Sequence, residues 1–391
     1  MTRPKPGTVD AFAALVHVAP IVRGLLAEPT GNEDFPHAPV LLSCLADARA
    51  RLSDEDERSG LALSLDPLLP CDDADAFRRG LADAVERFAA THDRKPDHFI
   101  ATGAGSLAVA PAADTRAAEA ATAPALHGRV AVVTGAAGAI GYAVCRTLLD
   151  SGCRVAATDL PGERLDALAE DLNAAAPGRV RGVAMDVTDR AAVADGFRQV
   201  VEAWGGVDIV VHNAGIALVA TIAEMDLEAF RRLERVNVDG TLLVLAAAGD
   251  LFKRQGTGGD VVIMSTKNVP SPSAGFGAYS ATKAACHQLG RIASLEMAPL
   301  GVRVNMVAPD AVFAEGDYKS GLWETVGADR MKVRGLDEAG LHEYYRQRNL
   351  LKARVTGRHV ANAVLFFVSR QTPTTGATIP VDGGLPDATP R

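Results

Sequence analysis

The sequence lacks the features of several common protein classes. Its five cysteines form no CxxC pair and do not group with histidines, so we predict no metal site and a reducing compartment. Acidic residues exceed basic ones, and the net charge of −8 disfavours nucleic acid or a membrane surface as a partner, since both reward a basic excess. There is no uninterrupted apolar run of about 18 residues, so we predict no membrane span.

The pattern of the amino-terminal segment predicts no secretion signal. Its short apolar stretch is interrupted by Asp10, His17 and Pro20, and no small-residue cleavage site follows. We therefore expect a cytoplasmic protein.

The length of 391 residues favours a full-sized catalytic domain plus a smaller one. An alanine-rich segment at 108–124 precedes a strongly patterned region, so we predict domains at 1–125 and 126–391. In the first, residues 41–52 and 76–90 have the apolar spacing of helices. Strands are predicted there at 61–65 and 99–101, and a turn at 103–105.

Beyond residue 125, short β-branched segments alternate with segments of helical length. The predicted strands are 130–134, 155–159, 183–186, 209–212, 261–264 and 302–307. Such alternation predicts a doubly wound α/β fold, a parallel sheet with helices on both faces.

A glycine-rich segment, TGAAGAIG at 134–141, joins the first of these strands to a helical stretch at 142–149. Glycines let the backbone turn tightly and approach a pyrophosphate, which the free amides and dipole of a helix N-terminus attract. The pattern predicts a dinucleotide site, although such a turn can also be purely structural.

Two acidic residues end the next two predicted strands. Asp159 can accept hydrogen bonds from the adenosine ribose and repel a 2′-phosphate, which favours NAD over NADP. Leu160 follows it, and the glycine loop has no Arg or Lys to neutralise a phosphate. Asp186 either binds the adenine amino group or caps the helix predicted near Arg190.

A candidate catalytic set lies further along the chain. Tyr279 and Lys283 are four residues apart, hence on one helix face, where the ammonium is expected to lower the phenol pKa and make Tyr279 a base. Ser265 and Thr266 end the fifth predicted strand, where a hydroxyl projects into the ligand crevice of an open α/β sheet. Asn237 lies in a helical stretch, where asparagine is intrinsically unfavourable.

In this order, these segments resemble the short-chain dehydrogenase/reductase family from about residue 128 to residue 384. The matching positions are 134–141, Asp159, Asp186, 212–215 (HNAG), Asn237, Ser265/Thr266, Tyr279, Lys283, Pro309 and 382–384 (DGG).

The resemblance implies a catalytic tetrad and a nicotinamide cofactor. Tyr279 is the expected acid/base, Lys283 binds the nicotinamide ribose, Ser265 or Thr266 orients the substrate oxygen, and Asn237 holds a relay water. The expected NAD contacts are Gly135, Ala137, Gly138, Ala139, Ile140, Gly141, Asp159, Leu160, Asp186, Val187, Asn213, Ala214, Gly215, Tyr279, Lys283, Pro309 and Val312.

Segments such as STKNV at 265–269 and EYYRQRNLL at 343–351 are more specifically similar to the dehydrogenase half of bifunctional aldolase/short-chain dehydrogenases, of the rhamnulose-1-phosphate aldolase/lactaldehyde dehydrogenase type. Residues 99–120 resemble the end of the aldolase half. Because the N-terminal part is too short for an aldolase and lacks its paired histidines, we expect a non-catalytic remnant. The family also implies a homodimer or homotetramer.

Four positions depart from the family pattern. Ala139 and Asp310 stand where glycine is usual, and His212 where asparagine is usual. Counted back from Tyr279, the catalytic serine position falls on Thr266 rather than Ser265, so both hydroxyls stay candidates. Lys267, Asn268 and Asp310 are the expected substrate contacts.

Residues 313–351 are expected to form a lid over the nicotinamide. Its basic residues either contact a phosphate or carboxylate or are solvated, and solvation is favoured for most of them; they are Lys319, Arg330, Lys332, Arg334, Arg346 and Arg348.

These features favour NAD-dependent oxidation of a small, polar, sugar-like alcohol. The alternatives are an NADH-dependent ketone reductase of a sugar, cyclitol or nucleoside pathway, and a non-catalytic NAD-binding scaffold.

Overall fold

The computed structural model describes residues 11–46, 62–65, 73–101, 104–109 and 126–387. The chain divides into two compact units. Unit 1 comprises Met1–Ala123, Phe197–Val207 and Asp250–Thr257, and unit 2 comprises Pro124–Gly196, Asp208–Gly249 and Gly258–Arg391. Within the described ranges, no helix is long and apolar enough to cross a membrane, and no three His, Cys, Asp or Glu side chains are grouped to hold a metal ion.

Unit 1 contains a four-stranded sheet and two N-terminal helices. The helices are α1 (Ala11–Leu26) and α2 (Ala74–His92), and the strands are β1 (Leu42–Leu45), β2 (Ala62–Ser64), β3 (His98–Ala101) and β4 (Gly105–Val109). The sheet order is β1-β4-β3-β2, antiparallel except for the β2/β3 pair. Its core includes Leu15, Val22, Phe77, Phe99 and Leu107, all buried.

Three of the predicted N-terminal elements are present: α2, β2 and β3. The helix predicted at 41–52 is wrong at 42–45, which form β1, and residues 47–52 lie outside the described part. In β1, side chains alternate between buried and half-buried. The local pattern of so short an apolar run fits either a helix or a strand, and here the pairing with β4 makes it a strand. Helix α1 was not predicted, because Pro20 interrupts its pattern. Residue 103 of the predicted turn is also outside the described part.

Two segments from beyond residue 125 belong to unit 1 and are bonded to α1. Arg23, only 2% exposed, donates from Nη1 to Gln255 Oε1 at 2.9 Å. Gln255 in turn donates from Nε2 to Val207 O at 3.0 Å. Gly24 allows the close approach, since a Cβ there would lie 1.8 Å from Gln255 O. These contacts complete the interior of unit 1.

Unit 2 has the predicted doubly wound fold. Its sheet consists of β5 (Val130–Thr134), β6 (Arg154–Asp159), β7 (Val180–Ala184), β8 (Ile209–His212), β9 (Gly259–Met264), β10 (Val302–Pro309) and β13 (Thr378–Val381). These seven parallel strands have the order β13-β10-β9-β8-β5-β6-β7. Strands β5, β8 and β9 are buried along their whole length, as expected where helices cover both faces.

The helices of this fold connect successive strands. They are α3 (Ala139–Asp150), α4 (Glu163–Ala175), α5 (Arg190–Trp204), α6 (Leu227–Leu233), α7 (Gly240–Gln255), α8 (Gly277–Glu296), α9 (Gly321–Arg334), α10 (Glu338–Gln347) and α11 (Gly357–Val368). A π-helical segment, Glu234–Asp239, joins α6 to α7, and a short 3₁₀ helix, Ala298–Leu300, precedes β10. A two-stranded hairpin, β11 (Ala314–Glu315) with β12 (Tyr318–Lys319), precedes α9.

The strand predictions need two corrections, one to the end of a strand and one for a strand that was not predicted. The strand predicted at 183–186 is β7, which ends at Ala184, so Asp186 lies in the loop beyond it. The edge strand β13 was not predicted, because its four residues, TIPV, include a proline and no side chain of the strand is fully buried.

The strand order reverses between β5 and β8. From β5 the chain continues to β6 and β7 on one side, then returns to place β8 on the other side of β5. Ligands of open α/β sheets bind at such a switch point, outside the carboxyl ends of the strands. The glycine loop begins there, at the end of β5.

Two glycines of this loop are required by its geometry. Gly135 has a φ of +62°, and a Cβ there would lie 2.8 Å from Ala214 Cα. A Cβ at Gly141 would lie 2.2 Å from Gly135 O and 2.6 Å from Ala136 Cα. At Gly138 the nearest atom would be 3.7 Å away, so the protein itself leaves that position free.

Gly141→Ala is therefore expected to destabilise unit 2, and Gly138→Ala is the matched control. The clash with backbone atoms should lower the free energy of unfolding by about 1–3 kcal/mol, measured by urea denaturation, with little change for Gly138→Ala. Equal stability of the two variants would contradict this account of the loop.

Candidate active site

A cavity of about 710 Å³ opens at the switch point of unit 2. Most of the predicted site residues line it together. They are Gly135, Ala137, Gly138, Ala139, Ile140, Asp159, Leu160, Asp186, Val187, Asn213, Ala214, Gly215, Ser265, Thr266, Lys267, Asn268, Tyr279, Lys283, Pro309, Asp310 and Val312. Gly141 and Asn237 are not among the lining residues.

The glycine loop leaves the start of α3 open toward this cavity. Gly138 is the N-cap residue, and no side chain caps the first amides of the helix. Uncapped amides at a helix N-terminus favour an anion, and the absence of side chains at Gly135 and Gly138 gives a diphosphate access to them. Ala139, the departure from the family pattern, is 1% exposed, so its methyl group is almost entirely buried.

The two acidic residues have different surroundings. Asp159 accepts hydrogen bonds from the amides of Ala137 at 2.9 Å and Leu160 at 2.8 Å, which hold its carboxylate beside the glycine loop. Asp186 accepts from the amide of Thr188 at 2.9 Å and from its hydroxyl at 2.8 Å. The alternative role of Asp186, as the cap of the helix near Arg190, is wrong, since the carboxylate of Asp189 accepts from the first-turn amide of Ala191.

His212 connects the glycine-loop strand to α7. Its Nδ1 is 3.1 Å from Thr134 Oγ1, and its Nε2 is 3.1 Å from Thr241 Oγ1. Thr134 Oγ1 already accepts from the amides of Asn213 and Ala214, both at 3.0 Å, so its proton is directed to His212 Nδ1. The imidazole therefore carries its proton on Nε2 and donates it to Thr241, which donates to Asn237 O at 2.6 Å.

Asn237 is fully buried within the π-helical segment. Its Oδ1 accepts from the Ile216 amide at 2.9 Å, and its Nδ2 donates to Ile216 O and to Thr282 Oγ1, both at 3.0 Å. The side chain thus joins the loop after β8 to α8. The sequence predicts a helical stretch at Asn237, and the structure has a π-helical segment there in which this amide has three partners.

Tyr279 and Lys283 lie on α8 and are both buried. Lys283 Nζ donates to Met264 O at 2.9 Å, and burial lowers its pKa. Gly215 leaves space for the ammonium, because a Cβ there would lie 3.0 Å from Nζ. Burial raises the pKa of Tyr279 to about 12, so the predicted lowering is wrong for the protein alone, where loss of water outweighs other effects.

The two candidate hydroxyls point to different partners. Ser265 Oγ is 2.9 Å from His287 Nδ1 on α8. Thr266 forms a hydrogen bond with Tyr279 that opposes the rise in the phenol pKa, and its Oγ1 accepts from the Asn268 amide at 3.2 Å. Successive residues of an extended segment point in opposite directions, and here it is Thr266 that faces the phenol.

Charged residues lie at the end of the cavity near Thr266: Lys267 and Asp310, which were predicted as substrate contacts, and Arg348, which the sequence did not distinguish from the other basic residues of the lid. Arg348 forms a two-pronged ion pair with Asp310, its Nε 3.1 Å from Oδ2, and both side chains are largely buried. Lys267 is 6% exposed and donates from Nζ to Ser273 Oγ at 2.8 Å. The periodicity of the predicted lid could not separate Arg330 and Arg348 from the exposed Lys319, Lys332 and Arg334, because their burial depends on distant partners.

The segment predicted as a lid contains the β11/β12 hairpin, α9 and α10, and several of its residues line the cavity, among them Trp323, Tyr345 and Arg348. Tyr318 of the hairpin stacks on Tyr142 of α3, with ring centroids 3.8 Å apart. The Tyr318 hydroxyl donates to Asp171 at 3.2 Å. The hairpin is thereby fixed beside the glycine-loop helix.

Comparisons with known proteins agree with this geometry. A family model for the short chain dehydrogenases matches residues 129–324. The chain is 36% identical over 265 residues to the uncharacterized oxidoreductase YuxG of Bacillus subtilis (strain 168), a match that covers 67% of this chain and only 38% of that protein. It is 34% identical over 197 residues to a sorbitol dehydrogenase of Cereibacter sphaeroides, covering 50% of this chain and 75% of that one.

A solved structure of a dehydrogenase is also similar to this chain. The sorbitol-6-phosphate 2-dehydrogenase SrlD from Erwinia amylovora is similar with a TM-score of 0.61 and 28% sequence identity. The similarity covers 65% of this chain and 98% of that chain.

The burial of His212 and its hydrogen bonds predict its charge and its tautomer. Burial, assisted by Lys283, lowers the His212 pKa to about 3, so the ring should remain neutral, protonated on Nε2, from pH 5 to pH 9. The ¹⁵N chemical shifts of the labelled imidazole report this directly. A ring protonated on Nδ1, or one that titrates near the ordinary histidine pKa, would contradict the chain of hydrogen bonds described above.

Proposed function

The chain belongs to the short-chain dehydrogenase family of oxidoreductases, and from that premise we propose that it interconverts a secondary alcohol and a ketone on a small, polar, sugar-like molecule with NAD as cofactor. The observation that carries this proposal is the grouping of Tyr279, Thr266 and Lys283 in one cavity with an uncapped glycine-rich helix start.

Proton transfer is assigned to Tyr279. Its phenol exchanges a proton with the substrate oxygen, and the Thr266 hydroxyl, already bonded to the phenol, orients that oxygen. Ser265 is occupied by His287 and is not assigned a direct role. As the family implies, Lys283 binds the nicotinamide ribose and Asn237 holds a relay water. Asn237 also holds the loop that contains Gly215.

The dinucleotide is assigned to the other end of the cavity. The amides at the start of α3 bind its diphosphate, Asp159 its adenosine ribose and Asp186 its adenine, and the main chain at Pro309 and Val312 lies toward the nicotinamide end. When bound, the nicotinamide supplies the hydride acceptor or donor. We favour NAD because the fixed Asp159 carboxylate repels a 2′-phosphate.

A polar substrate is supported in two ways. Lys267, Asp310 and Arg348 are charged and Asn268 is polar, and all four line the end of the cavity near Thr266. Among the relatives named above, one acts on sorbitol and another on sorbitol 6-phosphate. An aldolase origin for residues 1–125, a homodimer or homotetramer, and a cytoplasmic location stay predictions.

The test is reduction of NAD⁺, followed at the nicotinamide absorbance, across a panel of polyols, sugars, sugar phosphates, nucleosides and hydroxyaldehydes. Tyr279→Phe should abolish turnover, and Thr266→Val, which keeps the side-chain shape, should lower kcat by about 10²-fold or more. Ser265→Ala is the matched control and should retain most of the activity. If no compound of the panel is oxidised although NADH still binds, a specialised reductase or a non-catalytic scaffold would be favoured. Equal losses of activity in Thr266→Val and Ser265→Ala would contradict the assignment of Thr266.

Asp159→Asn tests the choice of cofactor. Loss of the negative charge should raise kcat/KM with NADP⁺ by about tenfold or more relative to NAD⁺, because a 2′-phosphate is no longer repelled. Asp166→Asn removes the same charge from an exposed position on α4 and should leave the ratio unchanged. A wild-type protein that already prefers NADP⁺ would overturn the assignment.

A further inference from the structure

The charged end of the cavity indicates more than a polar substrate. We propose that the substrate carries an anionic group, a phosphate or a carboxylate, which binds Lys267 and Arg348 beside Thr266. This inference rests on the proposed dehydrogenase activity and names its substrate class.

Lys267 is held in place with donor capacity to spare. It follows Thr266 directly, and its backbone amide donates to Pro309 O at 3.2 Å, which fixes it at the carboxyl ends of β9 and β10. Its Nζ donates to Ser273 Oγ at 2.8 Å and to Ser271 O at 3.3 Å. An ammonium has three donors, so among the described residues one N–H remains for a ligand in the cavity that Lys267 lines.

Arg348 is equally rigid and also lines the cavity. Its Nε and Nη2 donate to the two carboxylate oxygens of Asp310, and its guanidinium lies 4.2 Å from the ring centroid of Tyr345. Within the described part of the chain, Nη1 has no hydrogen-bond partner of its own and is available to a ligand. A guanidinium fixed by an ion pair and an aromatic ring loses little entropy when it binds an anion.

The surrounding charges leave a positive excess. Lys267 is influenced by two further cations, Arg348 and Arg330, and by two carboxylates, Asp310 and Asp382. Arg330 is 3% exposed, packs over the Phe276 ring at 4.9 Å, and its Nε has no hydrogen-bond partner among the described residues. Three cations, of which Lys267 and Arg330 are buried and Arg348 is half-buried, against two carboxylates are costly without a further anion, and a substrate phosphate or carboxylate offsets that cost.

The cations that line the cavity differ in their burial from the other basic residues of the segment 313–351. Lys319, Lys332 and Arg334 are exposed, so their charges are solvated. A neutral polyol could satisfy the free donors with hydroxyl groups, but it would leave the positive excess uncompensated. Because Lys267, Arg348 and Thr266 line the same cavity, one substrate molecule can carry both the anionic group and the reacting carbinol.

The ionisation of Lys267 adds a pH signature. Burial, then Arg348 and Arg330, lower its pKa to about 8, while Asp310 and Asp382 oppose the shift. A bound anion favours the ammonium, so binding above pH 8 requires uptake of a proton. KM for an anionic substrate should therefore rise above pH 8, by up to about tenfold per pH unit, while KM for a neutral analogue stays flat.

The experiment compares a polyol with its terminal phosphate and its terminal carboxylate, all with the same carbon chain. We expect kcat/KM to favour one of the anionic forms by about tenfold or more, and the two anionic arms identify which group is bound. Lys267→Gln should lower kcat/KM for the anionic form by about tenfold or more relative to its effect on the neutral polyol, and should abolish the rise in KM for the anionic form above pH 8. Lys332→Gln, an exposed position on α9, is the matched control.

A wild-type preference for the neutral polyol, or an equal loss for both substrates in Lys267→Gln, would overturn the proposal. If no compound is turned over, the anion site is tested separately by the thermal shift that inorganic phosphate causes in the NADH-saturated protein, at constant ionic strength. A shift lost in Lys267→Gln and kept in Lys332→Gln would retain the anion site while the dehydrogenase assignment fails. No phosphate-dependent shift would overturn the anion site as well.

Discussion

Lys283 and Tyr279 are both buried, so water stabilises neither the ammonium nor a phenolate. Burial raises the pKa of the phenol and lowers that of the ammonium, and the surrounding structure compensates for the lost hydration. Met264 O accepts from the ammonium, Gly215 leaves room for it, and Thr266 bonds the phenol. A proton-transferring group kept in this state responds strongly to any charge that enters the cavity, because little solvent screens it.

The same site is connected to the glycine loop through buried hydrogen bonds. Thr134, at the end of β5, contacts His212, which contacts Thr241, which contacts the main chain of Asn237. Every member of this chain is buried, and each donor has one acceptor, so the arrangement has a single consistent set of proton positions. Histidine in place of the usual asparagine is thus an integral part of the support beneath the cavity.

Local sequence signals were sufficient to predict the sheet and the glycine loop of the large domain. They were insufficient where contacts with residues distant in the sequence determine the structure. β-Branched runs and required glycines predicted the parallel sheet and the loop at 134–141, since both are set by local geometry. The strand at Leu42–Leu45 depends on pairing with β4, and the burial of Arg330 and Arg348 depends on Phe276, Tyr345 and Asp310. The choice between Ser265 and Thr266 likewise required the positions of His287 and Tyr279 on α8.

The most direct test of this account is the ionisation of Tyr279, measured by ultraviolet difference absorbance with Tyr279→Phe as the subtraction, in the free and NAD⁺-saturated protein. The free protein should form no Tyr279 phenolate until close to pH 12. Because NAD⁺ introduces a cation into a poorly solvated site, its binding should lower the phenol pKa by about 1–3 units. An unchanged titration with NAD⁺ bound, or ordinary tyrosine ionisation in the free protein, would contradict the claim that a desolvated Tyr279–Lys283 pair controls proton transfer here.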